Sequence, residues 1–72
     1  MNKKNKIKIV VNGKLLTVNL KFSLKNLVEM IKIPINKVAI ELNEEIIDKK
    51  KLSKIFLKNK DKIEIVHFIG GG

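Results

Sequence analysis

The stretch KIKIVVNGKLLTVNL, residues 6–20, alternates apolar and polar positions on both sides of an Asn-Gly pair. Ile7, Ile9 and Val11 share one parity, and Lys6, Lys8 and Val10 the other. A period of two marks a strand with one buried face. Asn12 and Gly13 supply the two positive-φ residues of a tight hairpin turn. Leu16, Val18 and Leu20 then carry the inward parity along the returning strand, with Thr17 and Asn19 on the opposite face. The pattern predicts an antiparallel hairpin.

At FSLKNLVEMIKIP the period lengthens. Ser23 suits a helix N-cap, and Leu24, Leu27, Val28 and Ile31 fall on one helical face. Phe22 before the cap and Leu27 within the first turns form a hydrophobic staple. Pro34 disfavours helical geometry at Ile33 and ends the helix nearby. One short amphipathic helix is expected.

Alternation returns in KVAIELN, with Val38, Ile40 and Leu42 inward and Ala39 and Glu41 outward. Ile46 and Ile47 allow only a very short strand. LSKIFL is expected to be an irregular turn in which Leu52, Ile55 or Phe56 closes the bottom of the core. The last strand, KIEIVHF, turns Ile63 and Ile65 inward and Glu64, Val66 and Phe68 outward. His67 shares the inward parity and is expected to be a partly buried packing residue.

The resulting order is β-β-α-β-(short β)-β. A hairpin, a helix across one sheet face and a long final strand make an α+β roll. Burying that final strand requires a central place beside the first one. The expected fold class is therefore α+β, a ubiquitin-like β-grasp roll with one helix packed across a mixed sheet. Residues 1–69 are expected to form the domain and 70–72 a flexible glycine tail.

Seventy-two residues are near the lower limit for folding on a hydrophobic core alone. Without cysteine, no disulfide or thiolate metal site can assist. His67, the single histidine, cannot hold a metal or perform acid–base chemistry by itself. No apolar run approaches a membrane span and the start lacks a signal-peptide core, so a cytoplasmic location is expected.

The formal net charge of +9 raises nucleic-acid binding as a function. The residue types argue against a specific version of it. All sixteen basic residues are lysine, and the chain has no Arg, Trp or Tyr. Bidentate phosphate and base contacts need the arginine fork, and single strands need aromatic stacking platforms. Lysine, asparagine and isoleucine enrichment fits an AT-rich coding bias equally well. The run Lys49-Lys50-Lys51 is read as a solvated loop, or otherwise as a steering patch for an acidic partner.

The ending VHFIGGG carries the strongest chemical clue. Glycine loses more backbone freedom on ordering than other residues, so three in succession have no structural advantage. A segment that must enter a partner's narrow active site, however, needs to lack side chains. With VNGK near the start, VAIELNEEII in the middle and DKIEIVHFIGGG at the end, residues 7–72 resemble the ThiS family. These are small sulfur carriers of thiamin thiazole biosynthesis.

The resemblance implies a specific chemistry. A ThiF-like adenylating enzyme would use ATP to convert the Gly72 carboxylate to an acyl-adenylate. A sulfur donor protein would then displace AMP and leave a thiocarboxylate, which would deliver sulfur on a thiazole synthase. Gly71 and Gly70 would enter the partner's active site. Val66, Phe68 and Ile69 are the expected docking residues, since two outward apolar side chains lead directly to the tail. The sequence contains no phosphate loop or catalytic triad, so the chain is read as a co-substrate with no cofactor of its own, not an enzyme. Neither specific nucleic acid nor membrane is an expected partner.

Two departures from the family pattern affect turns only. Glu44 follows the middle-turn Asn where glycine is common, and Asn59-Lys60-Asp61 replaces Asp-Gly-Asp. Asn43 and Asn59 are expected to carry these turns, because asparagine tolerates left-handed geometry. Two alternatives share the mechanism: a molybdopterin-type carrier and a ubiquitin-like protein modifier. Molybdopterin carriers usually have a proline-containing segment before their diglycine, which is absent here. A basic β-grasp RNA-binding module is the alternative from a different class, and it would not need a glycine end.

Overall fold

The computed structural model describes residues 5–68. The described residues form strands β1 (Lys6–Val11), β2 (Lys14–Asn19), β3 (Val38–Leu42), β4 (Glu45–Ile46) and β5 (Lys62–His67) and one α-helix, α1 (Leu24–Ile31). The sheet order is β2-β1-β5-β3-β4. β1 runs parallel to β5, while β1–β2, β3–β5 and β3–β4 are antiparallel. The final strand is thus central, and the fold is the expected β-grasp.

The hairpin follows from local chemistry. Val11 pairs with Lys14, which leaves Asn12 (φ 49°) and Gly13 (φ 82°) as a two-residue loop. Such φ values match the right-handed twist of the flanking strands. Leu20 differs from expectation: it follows the end of β2 and is 48% exposed. It keeps the inward parity but lies past the paired strand.

The helix starts at a reciprocal cap. Asn26 N donates to Ser23 Oγ, and Ser23 N donates to Asn26 Oδ1, each at 3.0 Å. Leu24, Leu27 and Val28 are buried against the sheet. Lys32 ends the helix in left-handed geometry (φ 55°), and Pro34 prevents its resumption.

Twelve apolar side chains form the core, from Ile7 and Ile9 on β1 to Ile63 and Ile65 on β5. Each fully buried Leu or Ile contributes ~1.5–3 kcal/mol. In a domain of this size no single one can be lost without a large effect on stability.

The segment before β5 departs from the expected irregular turn. Lys49–Lys54 forms a 3-10 helix, capped where Lys50 N donates to Asp48 Oδ1 at 2.9 Å. Leu52 is buried as expected, but Phe56 is 56% exposed and Leu57 closes the core. The cause is a single bridge between Ser23 and Phe56. Leu24 N donates to Ile55 O and Leu57 N to Phe22 O, so the chain is extended there. Ile55 and Leu57 turn inward and Phe56 outward. The same 3-10 helix carries Lys49-Lys50-Lys51; Lys50 and Lys51 are exposed, while Lys49 is half-buried.

The two variant turns resolve differently. Asn43 (φ 50°) adopts left-handed geometry as expected, and Glu44 (φ 73°) joins it. At the other turn the positive φ falls on Lys60 (φ 75°), not on Asn59. Asn59 contributes its side chain, whose Oδ1 accepts a hydrogen bond from Lys8 N at 2.8 Å.

Candidate functional site

β5 is the element that leads to the glycine segment, and it is tied at its start, middle and end. At the start, Asn43 N donates to Lys62 O (2.8 Å) and Lys62 N donates to Asn43 Oδ1 (2.9 Å). Asn43 Nδ2 also donates to Asp61 Oδ1 at 2.9 Å. In the middle, the Asn12 amide exchanges two hydrogen bonds with the backbone of Ile65. At the end, Phe68 N donates to Lys37 O at 2.9 Å.

Strand alternation sorts the side chains. Ile63 and Ile65 are buried; Val66 and Phe68 are 52% and 59% exposed. Ala39 pairs with Val66, Glu41 with Glu64, and Glu41 with Ile46 on its other side. An apolar surface of Ala39, Val66 and Ile46 therefore borders two facing carboxylates. The Lys49 ammonium lies over the Phe68 ring, 5.2 Å from its centroid. Phe68 thus joins this surface to the lysine-bearing 3-10 helix.

His67 is exposed, contrary to its expected partial burial. It shares the inward parity, but β1 pairs with β5 only at Lys62 and Ile63, so no strand flanks His67 on that side. Ile69, Gly70, Gly71 and Gly72, which complete the expected docking and reactive segment, lie outside the described residues.

Four contributors differ from what the local pattern predicts. Turn chemistry identifies Asn12 and Asn43 by backbone geometry alone, although an amide side chain beside a strand can also replace a missing peptide group. Lys49 belongs to the run expected to be a solvated loop or otherwise a steering patch, and its contact with Phe68 is neither. The short strand expected at Ile46-Ile47 is Glu45–Ile46 instead, and Ile46 on it is 75% exposed.

Among the described residues no group of three or more His, Asp or Glu side chains could hold a metal ion. No helix among them is long and apolar enough to cross a membrane. A cleft of about 380 Å³ lies between α1 and the 3-10 helix, with Val28, Ile35 and Leu52 in its wall and Lys25, Lys49 and Lys50 beside them.

Known proteins place this architecture. Over 66 residues the chain is 35% identical to a thiazole synthase from Paramagnetospirillum magneticum, covering 92% of this chain and 20% of that protein. Over 35 residues it is 51% identical to the sulfur carrier protein ThiS of Bacillus subtilis, covering 49% of this chain and 53% of that one. The chain thus spans less than two thirds of either relative. The crystal structure of the thiamine biosynthesis protein ThiS from Geobacter metallireducens superposes with a TM-score of 0.81 at 29% identity. That superposition covers 92% of this chain and all of the other. The ThiS family profile matches residues 9–72, so the chain belongs to the ThiS family.

Proposed function

We propose that this protein is a sulfur carrier for thiamin thiazole synthesis whose reacting group is the Gly72 carboxylate. The observation that carries the reading is the extent of the family match, which runs through the central strand and on to Gly72. A carboxylate is a poor electrophile until it gains a leaving group. A ThiF-like partner supplies one: a Gly72 carboxylate oxygen attacks the α-phosphorus of ATP, forming an acyl-adenylate and releasing pyrophosphate. Sulfide from a sulfur donor protein then attacks the carbonyl carbon, the bond to AMP breaks, and a thiocarboxylate remains.

The chain's own residues bind and present. Val66 and Phe68, with Ile69 beyond them, dock on the partner, and Gly70 and Gly71 allow the reacting end to reach the ATP. Thiazole synthase is the acceptor in this reading. It is supported by the synthase relative, of which a fifth resembles nearly all of this chain. The carrier itself is a co-substrate, acts in the cytoplasm and holds no cofactor.

Intact mass spectrometry of the protein isolated from its own cells tests the reading. Replacement of one terminal oxygen by sulfur adds about 16 Da, and the same mass change must appear on the Gly72-containing peptide. A chain that carries only unmodified carboxylate under thiamin-limited growth, and that releases no pyrophosphate with the adenylating enzyme of the same organism, would overturn it.

A further inference from the structure

The parallel ladder between β1 and β5 is short. It joins Val10 to Lys62 and Val11 to Ile63, and then β1 turns away at Asn12-Gly13. β5 continues to His67. The direction of its backbone groups follows from two bonds to the β3 side, Asn43 N to Lys62 O and Phe68 N to Lys37 O. Even-numbered residues of β5 therefore direct their backbone hydrogen bonds toward the β3 side, and Ile63, Ile65 and His67 present their N–H and C=O groups toward the β1 side.

Ile63 O accepts from Asn12 N at 2.9 Å, the last backbone bond on that side. Ile65 has no strand residue to meet. Instead its N–H donates to Asn12 Oδ1 at 2.7 Å and its C=O accepts from Asn12 Nδ2 at 3.2 Å. A side-chain amide carries one acceptor and a donor in the same arrangement as a peptide group. Asn12 thus stands in for the missing residue of β1. No backbone bond to the β1 side follows it among the described residues, and Val66 to Phe68 lie immediately beyond.

The turn itself does not require this amide. Glycine adopts a φ of 49° at least as readily as asparagine. We propose that Asn12 is a positioning residue: β3 holds one edge of β5 as far as Phe68, and the Asn12 amide holds the other edge where β1 has ended, so that together they pre-order Val66 and Phe68 for docking on the adenylating enzyme. This rests on the carrier reading above. Without the amide, part of the ordering of that segment must occur during docking, which raises KM for the carrier and leaves the chemical step alone.

Two substitutions test it. Asn12→Gly keeps the turn and removes both hydrogen bonds; Asn12→Asp keeps the acceptor for Ile65 N–H and loses the donor. Ile65 amide exchange, measured by NMR, is expected to accelerate roughly tenfold or more in Asn12→Gly and less in Asn12→Asp. KM for the carrier in pyrophosphate release is expected to rise roughly three- to tenfold in Asn12→Gly, with kcat nearly unchanged and Asn12→Asp intermediate. Assays run well below the melting range remove any effect of lowered stability. Accelerated Ile65 exchange with unchanged KM in both variants would reduce Asn12 to a structural residue and overturn the proposal, as would unchanged exchange. Failure of the carrier reading has a different result: the wild-type chain itself would release no pyrophosphate.

Discussion

Lys49 Nζ lies over the ring of Phe68, 5.2 Å from its centroid, and so links the residue just beyond β5 to the 3-10 helix. The ring remains 59% exposed. A large aromatic side chain in that position contributes little to the core and offers a ready anchor to a partner. Phe68→Ala is expected to weaken binding to the adenylating enzyme by about 1–3 kcal/mol. Removing Lys49 should instead cost about 0.5–1 kcal/mol of folding stability, the range for a cation over a ring at an exposed site. Titration calorimetry on both variants, with thermal melts to show that each is folded, decides the matter. Equal affinity for wild type and Phe68→Ala would remove this ring from the interface.

Glu41 and Glu64 occupy directly opposed positions on β3 and β5, both half-buried. The one ion pair among the described residues is elsewhere, between Lys25 and Glu29 at 3.9 Å. Like charges directly opposite in a sheet destabilise it by roughly 0.2–1 kcal/mol. Glu64→Gln should therefore raise unfolding stability by about that amount. The gain should shrink in concentrated salt, where the screening length falls to about 3 Å. Urea denaturation at low and high salt measures both effects. A loss of stability on substitution would mean that neighbouring lysines, Lys62 above all, already neutralise the pair.

The parts of this fold legible in the sequence are those whose causes are local. Asn12-Gly13 between two alternating runs defines its own hairpin, and Ser23 before an amphipathic run defines its own helix start. The central place of β5 also followed, because Ile63 and Ile65 near the end of the chain need cover. The inward direction of Leu57 is not legible, because it comes from the bridge at Ser23 and Phe56, residues far apart in sequence. The exposure of His67 is not legible either, because it depends on where β1 stops. Asn12 was recognised by its backbone conformation, while its amide acts on a residue fifty-three positions away. Long-range geometry of this kind leaves no mark in local periodicity.

The reciprocal cap of α1 gives a stability prediction free of any functional assumption. Ser23 is 5% exposed, and both of its cap bonds are made with Asn26. Ser23→Ala leaves the Asn26 N–H without its acceptor and is expected to cost about 1 kcal/mol. Asn26→Ala should cost less, because only the Ser23 N–H loses a partner and Asn26 is exposed. In the double variant the losses should add to less than their sum, since each single change already disrupts one shared unit. Chemical denaturation of the three variants measures this coupling. Strict additivity would show that the two bonds act independently.

The reactive end can be separated from the fold by two changes at the glycines. If the Gly72 carboxylate is the group that attacks ATP, one bulky residue added after it removes the nucleophile from its required place. Pyrophosphate release with the adenylating enzyme should then disappear. Gly71→Ala retains the carboxylate but adds a methyl group and restricts φ next to the reacting atoms. Small misplacements there are costly, and the rate should fall by roughly a hundredfold. Every buried apolar side chain among the described residues lies between Ile7 and Ile65, so neither change is expected to move Tm by more than about a degree. The informative comparison is rate against Tm in the same preparations. A carrier whose rate falls at constant Tm uses its glycines for access to the partner. Full adenylation of the extended chain would mean that the activated group is not at Gly72.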